Sequence, residues 1–129
     1  MNPTMKIVLL VEDEPMSRMI LERQLRRAGI VRTLVASNGY EALNTLTEEE
    51  RPDVILTDVH MPDIDGLNLV AFLRQRPGFE SIPIIAVTVD AADSRDWQAE
   101  GFSGYLGKPF TFEQLKAALA GAGIVVDAE

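Results

Sequence analysis

Five short apolar runs recur along the chain, and most of them stop at an acid, a hydroxyl or a Gly/Pro turn. The first, Ile7-Val8-Leu9-Leu10-Val11, gives way to Glu12-Asp13-Glu14-Pro15. The third, Val54-Ile55-Leu56, runs through Thr57 into Asp58 and is followed by Met61-Pro62-Asp63-Ile64-Asp65-Gly66. Apolar runs of this length without alternation predict strands buried on both faces. Ile84-Ile85-Ala86-Val87-Thr88, introduced by Pro83, predicts a fourth such strand, while Thr33 to Ala36 and Gly104-Tyr105-Leu106 predict shorter second and fifth strands.

Between the runs the apolar period changes to 3.6 residues, the helical value. Ile20, Leu21, Leu25 and Ala28 share one side of a helix that opens at Pro15 and closes at Gly29, with Arg18, Glu22, Arg23 and Arg26 on the solvent side. A second helix, capped from Ser37-Asn38-Gly39, turns Ala42, Leu43 and Leu46 inward. Leu69, Val70 and Leu73 mark a third, ended by Pro77-Gly78, and Phe112, Leu115 and Leu119 mark the last. Asp90 to Glu100 predicts the fourth helix, on a thin apolar face of Ala91, Ala92, Trp97 and Ala99. Strand and helix alternating five times predict an α/β fold, a five-stranded parallel sheet with five helices on its two faces. One domain is expected over residues 1–129, with a core of about 5–122 and a tail, 123–129, that carries the apolar patch Ile124-Val125-Val126.

Composition narrows the class. With 47% hydrophobic and 25% charged residues in 129, the chain has room for an ordinary core and no bias toward disorder. No run approaches the roughly 18 apolar residues that span a bilayer, and Met1-Asn2-Pro3-Thr4-Met5-Lys6 has no signal-peptide character, so the expected location is the cytoplasm. The absence of cysteine excludes disulfides, thiolate metal sites and cysteine nucleophiles. A net charge of -8 argues against direct contact with nucleic acid and favours a cation or a basic partner. Arg18, Arg23, Arg26, Arg27 and Arg32 lie close together, but the reading that suits a surface helix is a solvated face.

Ligands of parallel α/β sheets bind beyond the C-terminal ends of the strands. At those ends stand Glu12 and Asp13, then Asp58, then Thr88, then Lys108. Two carboxylates about 5 Å apart repel by roughly 3 kcal/mol at an effective dielectric near 20. Three acids gathered in one crevice therefore call for a cation, a shared proton or both. Oxygen ligands in an incomplete cage suit a hard ion such as Mg2+, which also accepts a phosphate oxygen, and the Thr88 hydroxyl and Lys108 ammonium suit the remaining phosphoryl oxygens. The constellation suggests Asp58 as a carboxylate nucleophile toward phosphorus, with an aspartyl phosphate as product.

From Val11-Glu12-Asp13 through Asp58-Val59-His60-Met61-Pro62-Asp63-Ile64-Asp65-Gly66 and Thr88 to Tyr105-Leu106-Gly107-Lys108-Pro109-Phe110, the chain resembles the receiver domain of two-component response regulators, of the chemotaxis-regulator type. The resemblance implies the flavodoxin-like strand order 2-1-3-4-5 and a phosphoryl group accepted on Asp58 from a histidine kinase or phosphotransfer protein. It implies Mg2+ or Mn2+ bound by Asp13, Asp58 and the His60 backbone carbonyl, with Glu12 acting through water. Thr88 and Tyr105 become the switch that reshapes the surface of the fourth helix, fifth strand and last helix for a downstream target or linked output domain. A cis Lys108-Pro109 peptide is also implied. Val89 stands where the family usually carries a small residue, and His60 and Asp90 occupy variable positions that tune loss of the phosphoryl group.

Three other functions fit parts of the pattern. A receiver-like interaction domain that no longer cycles phosphate is suggested by Val89. A Mg2+-dependent phosphatase would want a second acid two residues after the nucleophile, where His60 stands. A flavin carrier would want a Ser/Thr/Gly-rich phosphate loop after the first strand, where Glu12-Asp13-Glu14 stands. The lone histidine cannot build a His-rich metal site.

Overall fold

The computed structural model describes residues 6–30, 32–46, 51–59, 66–89, 98–99 and 101–124. Five strands, β1 (Ile7–Val11), β2 (Arg32–Ala36), β3 (Val54–Asp58), β4 (Ile84–Thr88) and β5 (Gly104–Gly107), form one parallel sheet in the order β2-β1-β3-β4-β5. Among the described residues, four helices accompany it: α1 (Pro15–Arg27), α2 (Gly39–Thr45), α3 (Gly66–Gln75) and α4 (Phe112–Gly121). Of the helix expected over Asp90–Glu100, only Gln98 and Ala99 are described, in a turn; Trp97 and the rest of it, with Val125 and Val126 of the apolar patch, lie outside the described residues.

Alternation along the strands produces two cores from one sheet. Leu9 and Val11 of β1, Ile55 of β3, and Ile84 and Ala86 of β4 face one way and pack with Ala42 and Leu46 from α2 and its end, and with Leu69, Val70 and Leu73 of α3. Val8 and Leu10, Val54 and Leu56, and Ile85 and Val87 face the other way, against Leu21 and Leu25 of α1 and Leu115 and Leu119 of α4. Each central strand is therefore apolar along most of its length, up to Thr57 in β3 and Thr88 in β4, because both its faces are covered. Ile124 joins the second core, which places the first residue of the apolar patch under α4 and against the sheet.

Local signals set the helix ends. The Glu14 carboxylate accepts the Ser17 N–H at 2.7 Å to cap α1, and Gly29 ends the helix at φ 92°. Asn38 accepts the Glu41 N–H at 2.8 Å to cap α2. Thr111 and Gln114 form a reciprocal capping box at the start of α4.

Two expectations for α1 need correction. Ile20 is 47% exposed, not part of the inward face, because Leu21 and Leu25 fill the contact with the sheet. Arg18 does not lie on the solvent face either: as the fourth residue of the helix it sends its side chain back over the N-terminal turn to the end of β1.

Gly101 sits at φ +100° beneath α3, and a methyl group added there would come to 2.6 Å from Val70 Cγ1. Both the backbone conformation and the contact oppose a side chain. Gly101→Ala is expected to cost about 2 kcal/mol, read as a lowered thermal midpoint.

Candidate functional site

β1 lies between β2 and β3, so the chain reverses direction of travel across the sheet beside it. The crevice at this switch point opens between the C-terminal ends of β1 and β3. Glu12 leaves β1 there and Asp58 is the last residue of β3. Asp13 follows Glu12, exposed at the mouth. One carboxylate oxygen from each of Glu12, Asp13 and Asp58 lies within 4.8 Å of the others.

Lys108 reaches into the same group from beyond β5. Its ammonium donates to Glu12 Oε1 at 2.7 Å and to Asp58 Oδ2 at 3.4 Å. The Lys108 N–H donates to the carbonyl of Thr88 at 2.9 Å, and Thr88 itself ends β4, buried and paired in register with Gly107. The Lys108-Pro109 peptide is cis. Five residues separated by up to 96 positions in sequence are thus gathered at one rim by the parallel sheet.

Electrostatics follow from burial. Glu12 is 1% exposed. Burial pushes its carboxyl above the usual range, against the pull of the Lys108 ammonium and the Glu14 N–H, which donates to Glu12 Oε2 at 3.2 Å. Burial alone would lower the Lys108 ammonium, but its hydrogen bond to Glu12 and the charges of Asp58 and Glu12 outweigh that and hold it above its ordinary value. Lys108 is therefore a firmly charged cation, and the cluster sets three carboxylates against one ammonium. The donor set is all oxygen, and a formal balance of -2 matches one divalent ion. Glu12, Asp13 and Asp58 fit such an ion.

Other site residues fall as follows. Val89 is 70% exposed beside the crevice. With Ser17, Ile20, Leu21, Pro109 and Phe110 it lines an apolar hollow of about 330 Å³ that opens next to Lys108. Tyr105 is 54% exposed on β5, opposite Ala86 in register. His60 and Asp90, and the loop from Met61 to Asp65, lie outside the described residues.

Sequence reasoning missed two arginines. Arg18 donates to the Glu12 carbonyl at 2.9 Å and to Ser37 Oγ at 3.3 Å. Arg74 of α3 donates to the carbonyls of Gly101, Glu80 and Ile82 on the opposite rim. Spacing carries no sign of either, because all but one of the acceptors are main-chain oxygens.

A doubly wound sheet with an acid cluster and a lysine at its switch point defines a flavodoxin-like fold of the receiver type. The chain belongs to the response regulator receiver domain family, which it matches over residues 8–120. It is 37% identical over 114 residues to a chemotaxis protein CheY homolog of Campylobacter jejuni, covering 87% of this chain and 88% of that protein. The structure of chemotaxis protein CheY4 from Vibrio cholerae superposes with a TM-score of 0.80 at 32% identity, over 91% of this chain and 98% of the other. The receiver domain of sensor histidine kinase PA1611 from Pseudomonas aeruginosa, solved with a magnesium ion coordinated in its active site cleft, gives a TM-score of 0.81 at 30% identity, over 93% and 99%. The chain is a receiver domain of two-component signalling, similar to the chemotaxis regulators. Among the described residues no helix is long and apolar enough to cross a membrane.

Proposed function

We propose that this receiver domain takes a phosphoryl group onto Asp58 from a histidine kinase or histidine phosphotransfer protein and passes the signal on through its surface. The observation that carries the reading is the Lys108 ammonium held between Glu12 and Asp58, in a cluster that Asp13 completes. An Asp58 oxygen attacks phosphorus, a new P–O bond forms, and the P–N bond to the donor imidazole breaks with the electron pair leaving on nitrogen. Lys108, 3.4 Å from Asp58 Oδ2, neutralises charge on the transferring phosphoryl oxygens. Glu12, Asp13 and Asp58, with the His60 carbonyl, would hold Mg2+ or Mn2+, which supplies further charge neutralisation on the phosphoryl group. In this reading the buried Thr88 hydroxyl bonds the phosphoryl oxygens once they arrive, and Tyr105, exposed on the adjacent strand, follows it inward. Release of the group by water is slow self-hydrolysis, tuned by His60, Val89 and Asp90. The apolar hollow beside Lys108 offers the phosphodonor a seat next to Asp58, and the output leaves through a downstream protein or a linked domain.

A receiver-like interaction domain that no longer cycles phosphate is the alternative, and one experiment separates the two. Incubation with Mg2+ and acetyl phosphate is expected to add one phosphoryl group to the intact mass of the wild type and none to Asp58→Asn. An adduct that persists at full level in Asp58→Asn, or no adduct on the wild type, contradicts the proposal.

A further inference from the structure

We infer that Arg18 is a positioning residue for the divalent ion, acting through the peptide that joins Glu12 to Asp13. The inference rests on the reading of Glu12, Asp13 and Asp58 as the ion's holders. The carbonyl that accepts from Arg18 belongs to the Glu12–Asp13 peptide. A peptide unit is planar, so fixing its oxygen fixes the rotation of the plane and with it the direction in which the chain delivers Asp13.

Glu12 is held on one side only by the sheet. Its N–H donates to the Ala36 carbonyl at 3.0 Å, continuing the pairing of β1 with β2. Its carbonyl lies past the end of the strand, where no ladder partner follows among the described residues, and Arg18 Nη1 takes that place at 2.9 Å. The same nitrogen donates to Ser37 Oγ at 3.3 Å. Ser37 is anchored in turn, because its N–H donates to Glu41 Oε1 at 2.7 Å at the start of α2. The turn that carries two of the three acids is thus tied by one guanidinium to α1 and to the β2–α2 connection. Exposed Asp13 depends on this brace more than Glu12, which is enclosed and bonded to Lys108.

Metal ligands oriented by outer hydrogen bonds lose affinity when those bonds are removed. The test is Mn2+ titration of folded protein without any phosphodonor, followed by electron paramagnetic resonance of the free ion. Arg18→Ala is expected to weaken binding by about tenfold or more. Arg18→Lys recovers only part of this, since an ammonium lacks the planar fork. Arg23→Ala removes the same charge from an exposed position on the same helix and stays within about twofold of wild type, as screened surface charges do. Ser37→Ala, which deletes only the outer contact, weakens binding by about threefold and carries the test if Arg18→Ala does not fold.

Wild-type affinity in Arg18→Ala, or in Ser37→Ala where that variant stands in, overturns the inference, as does an equal loss in Arg18→Ala and Arg23→Ala, which would make the effect one of charge alone. Failure of the wild type to bind Mn2+ overturns the metal reading together with the inference. Binding that ignores Arg18 leaves the metal reading intact.

Discussion

Lys108→Met is expected to lose about 3 kcal/mol of stability at pH 7 in the presence of a chelator, and to recover most of it on acidification. The physical reason is Glu12. Its carboxylate is almost fully enclosed, and the Lys108 ammonium at 2.7 Å is its charge partner. Without that partner the folded protein must either keep a buried anion or take up a proton. From the ordinary value of 4.5, protonation at pH 7 costs about 3 kcal/mol, which sets the ceiling.

The pH dependence has a fixed sign. Burial raises the Glu12 carboxyl above its unfolded value, and removing Lys108 takes away the strongest opposing interaction. The folded variant then holds more protons than the unfolded chain above pH 4.5, so its stability falls as pH rises. Below that point both forms are protonated and the cost disappears. Urea unfolding of wild type and variant at pH 5 and pH 7 reads the difference. Equal losses at the two pH values would mean that Glu12 is not the group left behind.

Arg74→Ala is expected to cost a similar amount, about 3 kcal/mol, on the opposite rim and without dependence on pH near neutrality. The guanidinium makes four bonds to three carbonyls: Gly101 from Nε at 3.0 Å and Nη2 at 2.8 Å, and Glu80 and Ile82 from Nη1 at 3.0 and 2.7 Å. Burial lowers the guanidinium from its ordinary value, but it remains charged. These carbonyls precede β4 and β5, so one side chain of α3 ties down the approach to both strands. Ser103 continues the tie, its N–H donating to the Ile84 carbonyl at 2.7 Å. Loss of Arg74 should speed amide exchange along β5, the strand that leads to Lys108. Arg74→Lys recovers little, because a single ammonium cannot replace the planar fork. A thermal midpoint for Arg74→Ala equal to wild type would contradict this account.

Much of the fold was legible because β1, β3 and β4 are covered on both faces and therefore apolar on nearly every residue, which is a pattern few other environments produce. The acids, hydroxyl and lysine were legible for a related reason: each sits within two residues of the end of such a run, and a parallel sheet brings those ends together. The strand order itself came from family resemblance, since alternation of strands and helices does not dictate it. Arg18 and Arg74 were not legible. A helical wheel assigns Arg18 to solvent by angle, but a long side chain near a helix N-terminus can reach back past the first turn to a free carbonyl. Ile20 failed in the opposite direction, being apolar yet turned to the hollow beside Lys108.

The central claim is that Asp58, and no other acid of the cluster, carries the phosphoryl group. Wild-type protein treated with Mg2+ and acetyl phosphate, reduced with borohydride and digested, reads the site directly, because reduction converts a phosphorylated aspartate to homoserine. Homoserine at position 58 alone is the expected result; homoserine at position 13, or unmodified aspartate at both, would contradict it.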